Sequence, residues 1–371
     1  MSRYKVAFTL KQHTPLIHFQ SEQSGATLRA SELKPKFDRF LLKLKNPNIT
    51  PSKGPQGELY FNYKVKITSL GNSIEDIEKI NPHNGKKIPD PLFFGNMGEG
   101  AKKRFTHAKE LHIEFLCFVP QLKEMIENNF EAFLAQTNFG TRQSKGYGSF
   151  YLDKPFNTSL IPYKVYSFNS TNWKNDIKLI YSFLRQGINY PKGRDVTRFY
   201  CKPAIFGYAL KNNWTWDKKA IKQHFFPQDL QAQQSKHPAS SPVGYQGTKT
   251  FLLRDLFGLS SDQTWMSYKT NIKKEHKEIA RFKSPLHFKI IQNQVYFWAD
   301  KSVEKILGKT FKISAKGNRP LELQTPDSFS FDAFFDYVKS IDLATHIEQK
   351  YHKESEFNTL NRILNGIKAS K

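Results

Sequence analysis

The sequence has few of the residues that would suggest a disulfide scaffold, a zinc centre or a membrane protein. Only Cys117 and Cys201 occur among its 371 residues, which excludes a disulfide framework and a cysteine-based zinc site. No apolar run approaches the roughly 20 residues of a membrane-spanning helix, and the opening segment MSRYKVAF lacks the apolar core of a signal peptide. We therefore expect a protein of a reducing compartment, in the cytoplasm and away from membranes.

Acidic residues are also scarce compared with basic ones. Asp and Glu number 33 against 57 Lys and Arg, which leaves a net charge of +24. A field of this size exceeds what solubility needs and indicates a polyanionic partner, with nucleic acid the first candidate. The chain also contains 32 Phe, 16 Tyr and 5 Trp, and proteins that bind single-stranded nucleic acid combine such rings with cations. Many of these rings will nevertheless belong to the core.

The first 153 residues contain six predicted elements in the order strand, helix, strand, strand, helix, strand. Alternating apolar residues predict the strands, over 4–10, 59–67, 111–117 and 148–153. Apolar residues at helical spacing predict an amphipathic helix that begins near Ser31 and a second helix just after Pro120. This order is the ferredoxin-like pattern.

A long segment, residues 71–107, separates the second and third predicted strands. It is rich in Gly, Pro, Asn and Lys, a composition typical of loops. Loops of this length inside a domain are usually functional or disordered. We interpret the segment as an inserted arm with little regular structure.

The stretch FGTRQSKGYGSF follows the second helix and begins with the glycine-rich loop, residues 139–148. It is not a Walker loop, because five residues rather than four separate Gly140 from Gly146 and a tyrosine follows. It is not a dinucleotide fingerprint, which opens a helix after a strand. Lys145 to Gly148 match the first four positions of the RNA-recognition-motif signature, but the later positions depart from it and that signature belongs on a third strand.

A backbone-clamping loop fits both the residues and their position. Gly140, Gly146 and Gly148 can adopt positive φ and allow the main chain to approach a ligand closely. Arg142 and Lys145 bring positive charge to the same turn. The pattern therefore predicts a loop that binds a phosphodiester through amides and charge.

This loop resembles the glycine-rich loop of the RAMP superfamily of CRISPR-associated proteins, which follows the second helix of a ferredoxin-like domain. Two upstream stretches show the same resemblance: TPLIHF, over 14–19, and LRASELKPKFDRFL, over 28–41. In the second half of the chain, RFKSPLHFKI, over 281–290, is similar to a segment of the first subunit of the type III-B effector complex. That subunit consists of two fused ferredoxin-like domains.

The second half of the chain has a weaker pattern of its own. A helix is predicted over 173–184, a hairpin around Gln292 to Gln294, and helices over 329–350 and 355–367. The resemblance implies an α+β fold of two ferredoxin-like domains, at 1–155 and 160–371, with inserted basic arms and a helical C-terminus.

The resemblance also implies a set of RNA contacts. The cations of the first helix and of the loop would contact phosphates, and the glycines would allow the approach. The arm would act as the thumb-like protrusion that separates guide from target bases. The predicted RNA-binding residues are Arg29, Lys34, Lys36, Arg39, Lys102, Lys103, Arg104, Gly140, Arg142, Lys145, Gly146 and Gly148. The alternative for the helix cations is an ordinary solvated face.

The implied function is that of a non-catalytic RNA-binding subunit of a type III CRISPR effector ribonucleoprotein. It would cap the filament near the 3′ region of the guide RNA and help to capture target RNA. Its expected partners are guide RNA, target RNA and other effector subunits, and neither a cofactor nor a metal is predicted.

Two other functions remain open from the sequence. Some RAMP proteins cleave RNA by acid–base chemistry, for which His13 and His18 are the best candidates, although a histidine is more often a surface or hydrogen-bonding residue. The chain could thus be an endoribonuclease that processes guide RNA, but those enzymes carry the glycine-rich loop near the end of the chain. It could also be a free-standing module for single-stranded RNA.

Overall fold

The computed structural model describes residues 3–17, 27–76, 78–80, 87–89, 104–192, 196–236, 249–259 and 264–370. The α-helices are α1 (Ala30–Lys43), α2 (Pro120–Gln136), α3 (Trp173–Arg185), α4 (Ala204–Lys211), α5 (Asp217–Phe225), α6 (Pro227–Lys236), α7 (Phe331–Lys339), α8 (Leu343–His346) and α9 (Ser355–Gly366). Within these described ranges, no helix combines the length and apolar character that crossing a bilayer requires.

The structure contains many short strands. They are β1 (Lys5–Gln12), β2 (Ser52–Lys53), β3 (Leu59–Tyr60), β4 (Lys64–Leu70), β5 (Ser73–Asp76), β6 (Glu78–Ile80), β7 (Lys87–Pro89), β8 (Arg104–His107), β9 (Glu110–Leu116), β10 (Phe150–Leu152), β11 (Tyr166–Asn169), β12 (Ile188–Pro191), β13 (Thr197–Cys201), β14 (Trp214–Trp216), β15 (Lys249–Phe251), β16 (Thr264–Ser267), β17 (Thr270–Glu275), β18 (Leu286–Ile291), β19 (Gln294–Ala299), β20 (Thr310–Ala315), β21 (Leu321–Gln324) and β22 (Lys368–Ala369). Strands and helices alternate in groups, so the fold is α+β.

The first four-stranded sheet has the predicted ferredoxin-like topology. Its strand order is β10-β1-β9-β4, and all three pairings are antiparallel. Helix α1 follows β1 and helix α2 follows β9 in the chain. Phe8 on β1 and Ile67 on β4 both lie opposite Ile113 on β9, so one face of the central strand is in register with apolar neighbours on both sides. The predicted order of elements is confirmed.

Helix α1 packs on this sheet through a single apolar stripe. Leu33, Phe37 and Leu41 recur every four residues and are fully buried, as the helical period requires. The ring of Phe37 lies 5.8 Å from that of Phe115 on β9 and 4.9 Å from that of Phe133 on α2, measured between centroids. Phe37 therefore joins α1, α2 and the sheet in one core.

The second predicted strand, 59–67, is divided in the structure. Its first two residues form β3, which pairs with β2, and β4 begins only at Lys64. Between them the amide of Tyr63 donates to the carbonyl of Phe61 at 3.1 Å, and both side chains are buried. The alternation of apolar residues continues through the bend, which is why the sequence suggests one strand.

The arm contains more regular structure than its composition predicts. Strand β5 pairs with β8, and β6 pairs with β7, both antiparallel. The prediction of little regular structure is therefore wrong for the described part of residues 71–107. In the β5–β8 ribbon the apolar side chains are Ile74, which is 41% exposed, and the buried Phe105. One apolar residue in each strand is too few to show the alternation by which strands are recognised.

A second sheet repeats the same topology. Its strand order is β18-β19-β11-β22. In chain order β11, α3, β18, β19, α9 and β22 form a second strand–helix–strand–strand–helix–strand series, with the remaining elements inserted. The predicted hairpin is confirmed, since the turn between β18 and β19 consists of Gln292 and Asn293. The two ferredoxin-like folds implied by the resemblance are both present.

The C-terminal segment is helical, as predicted, but its helices are shorter. The helix predicted over 355–367 is α9, whereas the one predicted over 329–350 is divided into α7 and α8. Asp342 begins α8, because its Oδ1 accepts from the amide of Ala344 at 3.0 Å. An aspartate at this position favours a new helix start over continuation of the preceding one.

By contacts, the described chain groups into two compact units. Unit 1 comprises Met1–Asn175, His287–Trp298 and Lys368–Lys371, and unit 2 comprises Asp176–Leu286 and Ala299–Ile367. Unit 2 contains a six-stranded sheet of order β14-β15-β21-β20-β17-β16. Cys117 and Cys201 are both free and buried.

Candidate nucleic-acid interface at the glycine-rich loop

The glycine-rich loop has the backbone conformation that its sequence predicts. The φ angles of Gly140, Gly146 and Gly148 are 75°, 88° and 65°. Arg142 also has a positive φ, 56°, which costs a residue with a Cβ about 1 kcal/mol or more. Residues 141–144 are partly accessible, whereas 145–150 are buried. We call residues 141–144 the crest of the loop.

The close approaches at the glycines are made by the protein's own backbone. A Cβ at Gly140 would lie 2.5 Å from the carbonyl oxygen of Ile17, and one at Gly148 would lie 2.0 Å from that of Phe139. Real Cβ atoms do not approach backbone oxygens so closely. Gly140 is therefore required for the loop to pack on the segment that follows β1, and Gly148 is required for the end of the loop to pack against its start at Phe139. Any RNA contact at these glycines stays a prediction.

Several amides of the loop already donate within the chain. The amide of Gly140 donates to Glu32 Oε1 on α1 at 2.6 Å, and the amide of Gly148 donates to the carbonyl of Pro15 at 2.8 Å. The amide of Gly146 donates to a carbonyl inside the loop at 3.3 Å. A phosphate would have to displace these partners, so the crest is the better place for an RNA contact.

Residues 14–17, which we call the TPLI segment, follow β1 and hold the glycine-rich loop in place from inside the protein. The hydroxyl of Thr14, which is 1% exposed, donates to the carbonyl of Gly146 at 2.6 Å and accepts from the amide of Ser149 at 2.9 Å. The amide of Leu16 donates to the carbonyl of Thr106 on β8 at 3.0 Å. The TPLI segment therefore joins the loop to β8, the strand at the end of the arm.

Strand β8 also contacts the loop through its side chains. Phe105 on β8 stacks on Tyr147, with centroids 5.7 Å apart and planes 17° apart, and both are fully buried. The Nζ atom of Lys174 lies 4.3 Å from the centroid of Phe105. Lys174 was missed in the sequence, where the only signal is its place in the first turn of a predicted helix.

Strand β18 supports the other side of the loop. The amide of Phe288 donates to the carbonyl of Ser144 at 3.2 Å, and its carbonyl accepts from Asn138 Nδ2 at 2.8 Å. Because Asn138 is buried, its amide group is a fixed link between the end of α2 and the second sheet. The crest is therefore attached to a strand as well as to the TPLI segment.

Lys289, the next residue of β18, is a fully buried lysine at the base of the loop. Its Nζ donates to the carbonyl of Thr137 at 3.0 Å, to Asn138 Oδ1 at 3.2 Å and to the carbonyl of Phe150 at 3.2 Å. Burial lowers the pKa of Lys289 to about 7, because its partners in the described part of the chain are neutral oxygens, which do not compensate for the lost hydration of a charge. This residue was missed in the sequence, since a single lysine in an apolar strand carries no sign of its partners.

Two of the predicted helix cations are engaged inside the protein. Lys34 Nζ donates to Asp38 Oδ2 at 2.7 Å and lies 4.1 Å from the centroid of Tyr63. Lys36 Nζ donates to Glu32 Oε1 at 2.7 Å and to Gln143 Oε1, in the crest, at 3.2 Å. Burial lowers the pKa of Lys36. Lys36 therefore positions the crest, and its contact with RNA stays a prediction.

The arginines lie in more accessible places. Arg39 is exposed on α1, where its Nε donates to the carbonyl of Pro35 at 3.1 Å. Arg104 is exposed at the start of β8, and Arg29, immediately before α1, is partly accessible. Arg142 occupies the crest. Their position at the surface places these arginines where a phosphate backbone could approach them, and their contacts with RNA stay predictions.

The remaining predicted cations are Lys145, Lys102 and Lys103. Lys145 is only 8% exposed, and its Nζ lies 6.0 Å from the centroid of Phe288. Its side chain thus packs at the base of the loop, and its RNA contact stays a prediction. Lys102 and Lys103 lie outside the described residues.

The best catalytic candidate is a poor acid–base group. His13 is partly buried, and its Nδ1 accepts a hydrogen bond from the amide of Gln292 at 3.2 Å. Burial, followed by the charges of Lys289 and Lys11, lowers the pKa of His13 to about 4. A base this weak is badly matched to proton transfer near pH 7. His18 lies outside the described residues.

Metal-ligating side chains do not cluster in the part of the chain that the structure describes. These ranges contain no group of three or more His, Cys, Asp or Glu residues that could hold a metal ion. The features that the described interface offers to a ligand are its cations, its rings and its backbone.

Two ferredoxin-like folds in one chain, with a glycine-rich loop after the second helix of the first, are the features of a RAMP protein. Family models match almost the whole chain: the Cmr1 N-terminal domain over residues 3–188 and the Cmr1 C-terminal domain over residues 200–368. The chain belongs to the Cmr1 family. It is therefore a subunit of a type III-B CRISPR effector complex, in which it is associated with other subunits and RNA.

Among solved structures, the chain is similar to the apo crystal structure of Cmr1 from Pyrococcus furiosus. The TM-score is 0.39 at 10% sequence identity, and the match covers 99% of this chain and 98% of that chain. No curated protein matches the chain by sequence.

Proposed function

We propose that this subunit binds RNA without cleaving it, caps the effector filament near the 3′ region of the guide RNA and helps to capture target RNA. The observation that carries the proposal is Arg142, an arginine at the accessible crest of a loop that is fixed on three sides. The loop is bonded to the TPLI segment, to Glu32 on α1 and to Phe288 on β18. Because the backbone that carries Arg142 is already fixed, binding a phosphate there does not require the loop to become ordered.

Charge supports the same proposal. The chain carries +24, and Arg39 and Arg104 present accessible guanidinium groups on α1 and β8. Arginine suits phosphate because its planar group can donate two parallel hydrogen bonds. Most contacts of this type fix the position of the RNA and do not read its sequence.

Salt dependence of binding tests the proposal. Affinity for a guide-length single-stranded RNA is measured by fluorescence anisotropy at salt concentrations from about 50 to about 300 mM. For single strands the slope of log K against log salt changes by about 0.7 for each phosphate that the protein no longer neutralises. Arg142→Ala and Arg39→Ala should each reduce the slope by about this amount. Lys301→Ala, which removes an exposed cation from unit 2, is the matched control and should leave it unchanged.

An unchanged slope in both arginine variants would contradict an interface at the crest and α1. The folded state of each variant is checked by its thermal transition, so that a loss of affinity is not a loss of structure.

The non-catalytic part of the proposal has its own test. The purified chain is incubated with repeat-containing RNA, and the products are separated on a denaturing gel. We expect intact RNA with both the unaltered chain and His13→Ala, because His13 is too weak a base. Specific cleavage that His13→Ala abolishes would instead identify a guide-processing endoribonuclease.

A further inference from the structure

Unit 2 contains a cationic cleft that shares no residue with the interface at the glycine-rich loop. It has a volume of about 490 Å³ and lies between α5, the turn that begins at Arg254, and strand β16 with the tyrosine that follows it. Its lining includes the cations Lys218, Lys222 and Arg254 and the aromatic residues Trp265 and Tyr268. No acidic side chain is among these described lining residues.

The three cations of the cleft are placed by regular structure. Lys218 and Lys222 are four residues apart on α5, so their side chains project from the same face, and Ile221 between them is buried. Arg254 NH2 lies 3.5 Å from Oδ2 of Asp217, a carboxylate with 4% side-chain exposure. Asp255, also buried, interacts electrostatically with Arg254 but is paired with Lys274. The three lining cations therefore outnumber the carboxylates that face them.

The environment of the lysines is unfavourable for their charge. Partial burial lowers the pKa of Lys222. Partial burial lowers the pKa of Lys218 too, and the charges of Lys222 and Arg254 lower it further, while the charge of Asp217 opposes this decrease. An anion bound among these groups would offset both the lost hydration and the mutual repulsion.

The cleft also offers an aromatic face. Trp265 is partly accessible, and within the described ranges its indole packs against no other aromatic ring. Tyr268 differs, because its ring lies 5.3 Å from that of Phe226 and its hydroxyl accepts from Lys222 Nζ at 3.3 Å. Trp265 is thus the ring on which a planar group could stack, while Tyr268 positions Lys222.

The turn that presents Tyr268 is strained. Tyr268 and Lys269 connect β16 to β17 with φ angles of 44° and 64°, and Ser267 lies opposite Thr270. Two positive φ angles define a type I′ turn, which usually contains Asn and Gly. An aromatic residue in this conformation is uncommon and is often found at binding sites. The strain is explained if Tyr268 must stand beside Lys222.

The geometry points to a nucleotide-binding site in this cleft, with the phosphate on Lys218, Lys222 and Arg254 and the base stacked on Trp265. A volume of about 490 Å³ lies within the range of small-ligand sites. The shared chemistry is a base and a phosphate joined by a sugar, which either a free nucleotide or one nucleotide of a single-stranded RNA supplies. The inference concerns unit 2 alone and holds whether or not the glycine-rich loop in unit 1 binds RNA.

Calorimetric titration of the full chain tests the site. The probes are UMP, AMP, inorganic phosphate and a ten-nucleotide oligouridylate. Lys222→Gln, which keeps the aliphatic stem, and Trp265→Leu should each weaken binding on the order of tenfold, as loss of one charge-assisted hydrogen bond or one stacked base predicts. Lys219→Ala, one residue along the same helix and outside the lining, is the matched control and should bind like the unaltered chain.

The two sources of the ligand give different results. If UMP binds and the oligouridylate does not displace it, the ligand is a free nucleotide. If the oligouridylate binds with sensitivity to Lys222→Gln and UMP alone is much weaker, the ligand is a nucleotide within RNA. Arg142→Ala should not change UMP binding in either case, which separates this site from the loop.

Two results would overturn the inference. One is no saturable binding of any probe to the unaltered chain. The other is binding that Lys222→Gln and Trp265→Leu both leave unchanged while their thermal transitions match that of the unaltered chain. Should Trp265→Leu fail to fold, Trp265→Phe replaces it, and Lys222→Gln still decides the outcome.

Discussion

Lys289 offers a quantitative test of how the glycine-rich loop is supported. Its ammonium group is fully buried and donates to two backbone carbonyls and the side-chain oxygen of Asn138. Burial lowers its pKa from 10.5 to about 7. Each pKa unit corresponds to about 1.4 kcal/mol. Protonating Lys289 is therefore less favourable in the folded chain than in the unfolded chain by roughly 4 to 5 kcal/mol.

The sign of the pH dependence follows from proton counts. Between pH 7 and 10 the unfolded chain keeps the proton on Lys289, whereas the folded chain has released it. Stability therefore rises with pH in this window, because the unfolded state binds more protons. From pH 7 to pH 9 the expected gain is about 2 kcal/mol. Lys289→Met removes this titration and leaves the other groups in place.

Guanidinium unfolding followed by tryptophan fluorescence measures the effect at pH 7, 8 and 9. We expect the free energy of unfolding of the unaltered chain, minus that of Lys289→Met, to increase by about 2 kcal/mol across the series. Lys66→Met, which replaces an exposed lysine of β4, should give a flat difference. A flat difference for Lys289→Met, or one that falls with pH, would refute the reasoning.

Three further predictions concern packing and pH. Gly148→Ala should lower the free energy of unfolding by about 3 kcal/mol, because the added Cβ would meet the carbonyl oxygen of Phe139. Gly317 also has a positive φ, +80°, but nothing lies within 4 Å of its Cβ position, so Gly317→Ala should cost only about 1 kcal/mol. Equal losses of stability in the two variants would contradict the close packing at Gly148. Phe37→Ala should lower the free energy of unfolding by about 3 to 5 kcal/mol, and a loss below about 1 kcal/mol would show that α1 does not depend on this ring. Because the pKa of His13 is lowered from 6.5 to about 4, the unaltered chain should lose stability relative to His13→Gln as pH falls from 6.5 to 4, by at most about 3 kcal/mol; parallel pH profiles would show that His13 is not held neutral.

The sequence predicts the first ferredoxin-like fold well because its signals are local. Alternation in β1 and β9 and the apolar stripe of α1 each extend over one element, and each is confirmed by the sheet and its core. The positive φ of Gly140, Gly146 and Gly148 is also a local property, since glycine is the residue that adopts it without strain. The turn between β18 and β19 is predicted from local signals too, because apolar residues flank the polar Gln292 and Asn293 on both sides.

The roles of individual cations depend on partners that are distant in sequence. Lys36 bonds Gln143 and Lys289 bonds Asn138, and no periodicity reveals either pair. Two other pairs are visible in the sequence: Lys36 follows Glu32 by four residues, and Lys34 precedes Asp38 by four, a spacing that favours ion pairs on a helix. These pairs indicate that both lysines support the fold in addition to any contact with RNA.

The sheet of unit 2 shows a second limit of sequence reasoning. Strand β14 pairs with β15 in parallel, and β15 pairs with β21 through a single register match between Phe251 and Gln324. Strands of three or four residues are too short to show a period, and their pairing is decided by tertiary contacts. The cationic cleft beside β16 could not be found before this sheet was known.

Photocrosslinking in the assembled effector complex would show where the RNA lies on this subunit. Guide and target RNAs carrying 4-thiouridine are incorporated, irradiated and digested, and the crosslinked peptides are identified by mass spectrometry. An RNA interface at the crest predicts crosslinks in peptides that contain residues 139–148, with reduced yield in Arg142→Ala. Crosslinks that fall on this subunit and never within that loop would contradict it.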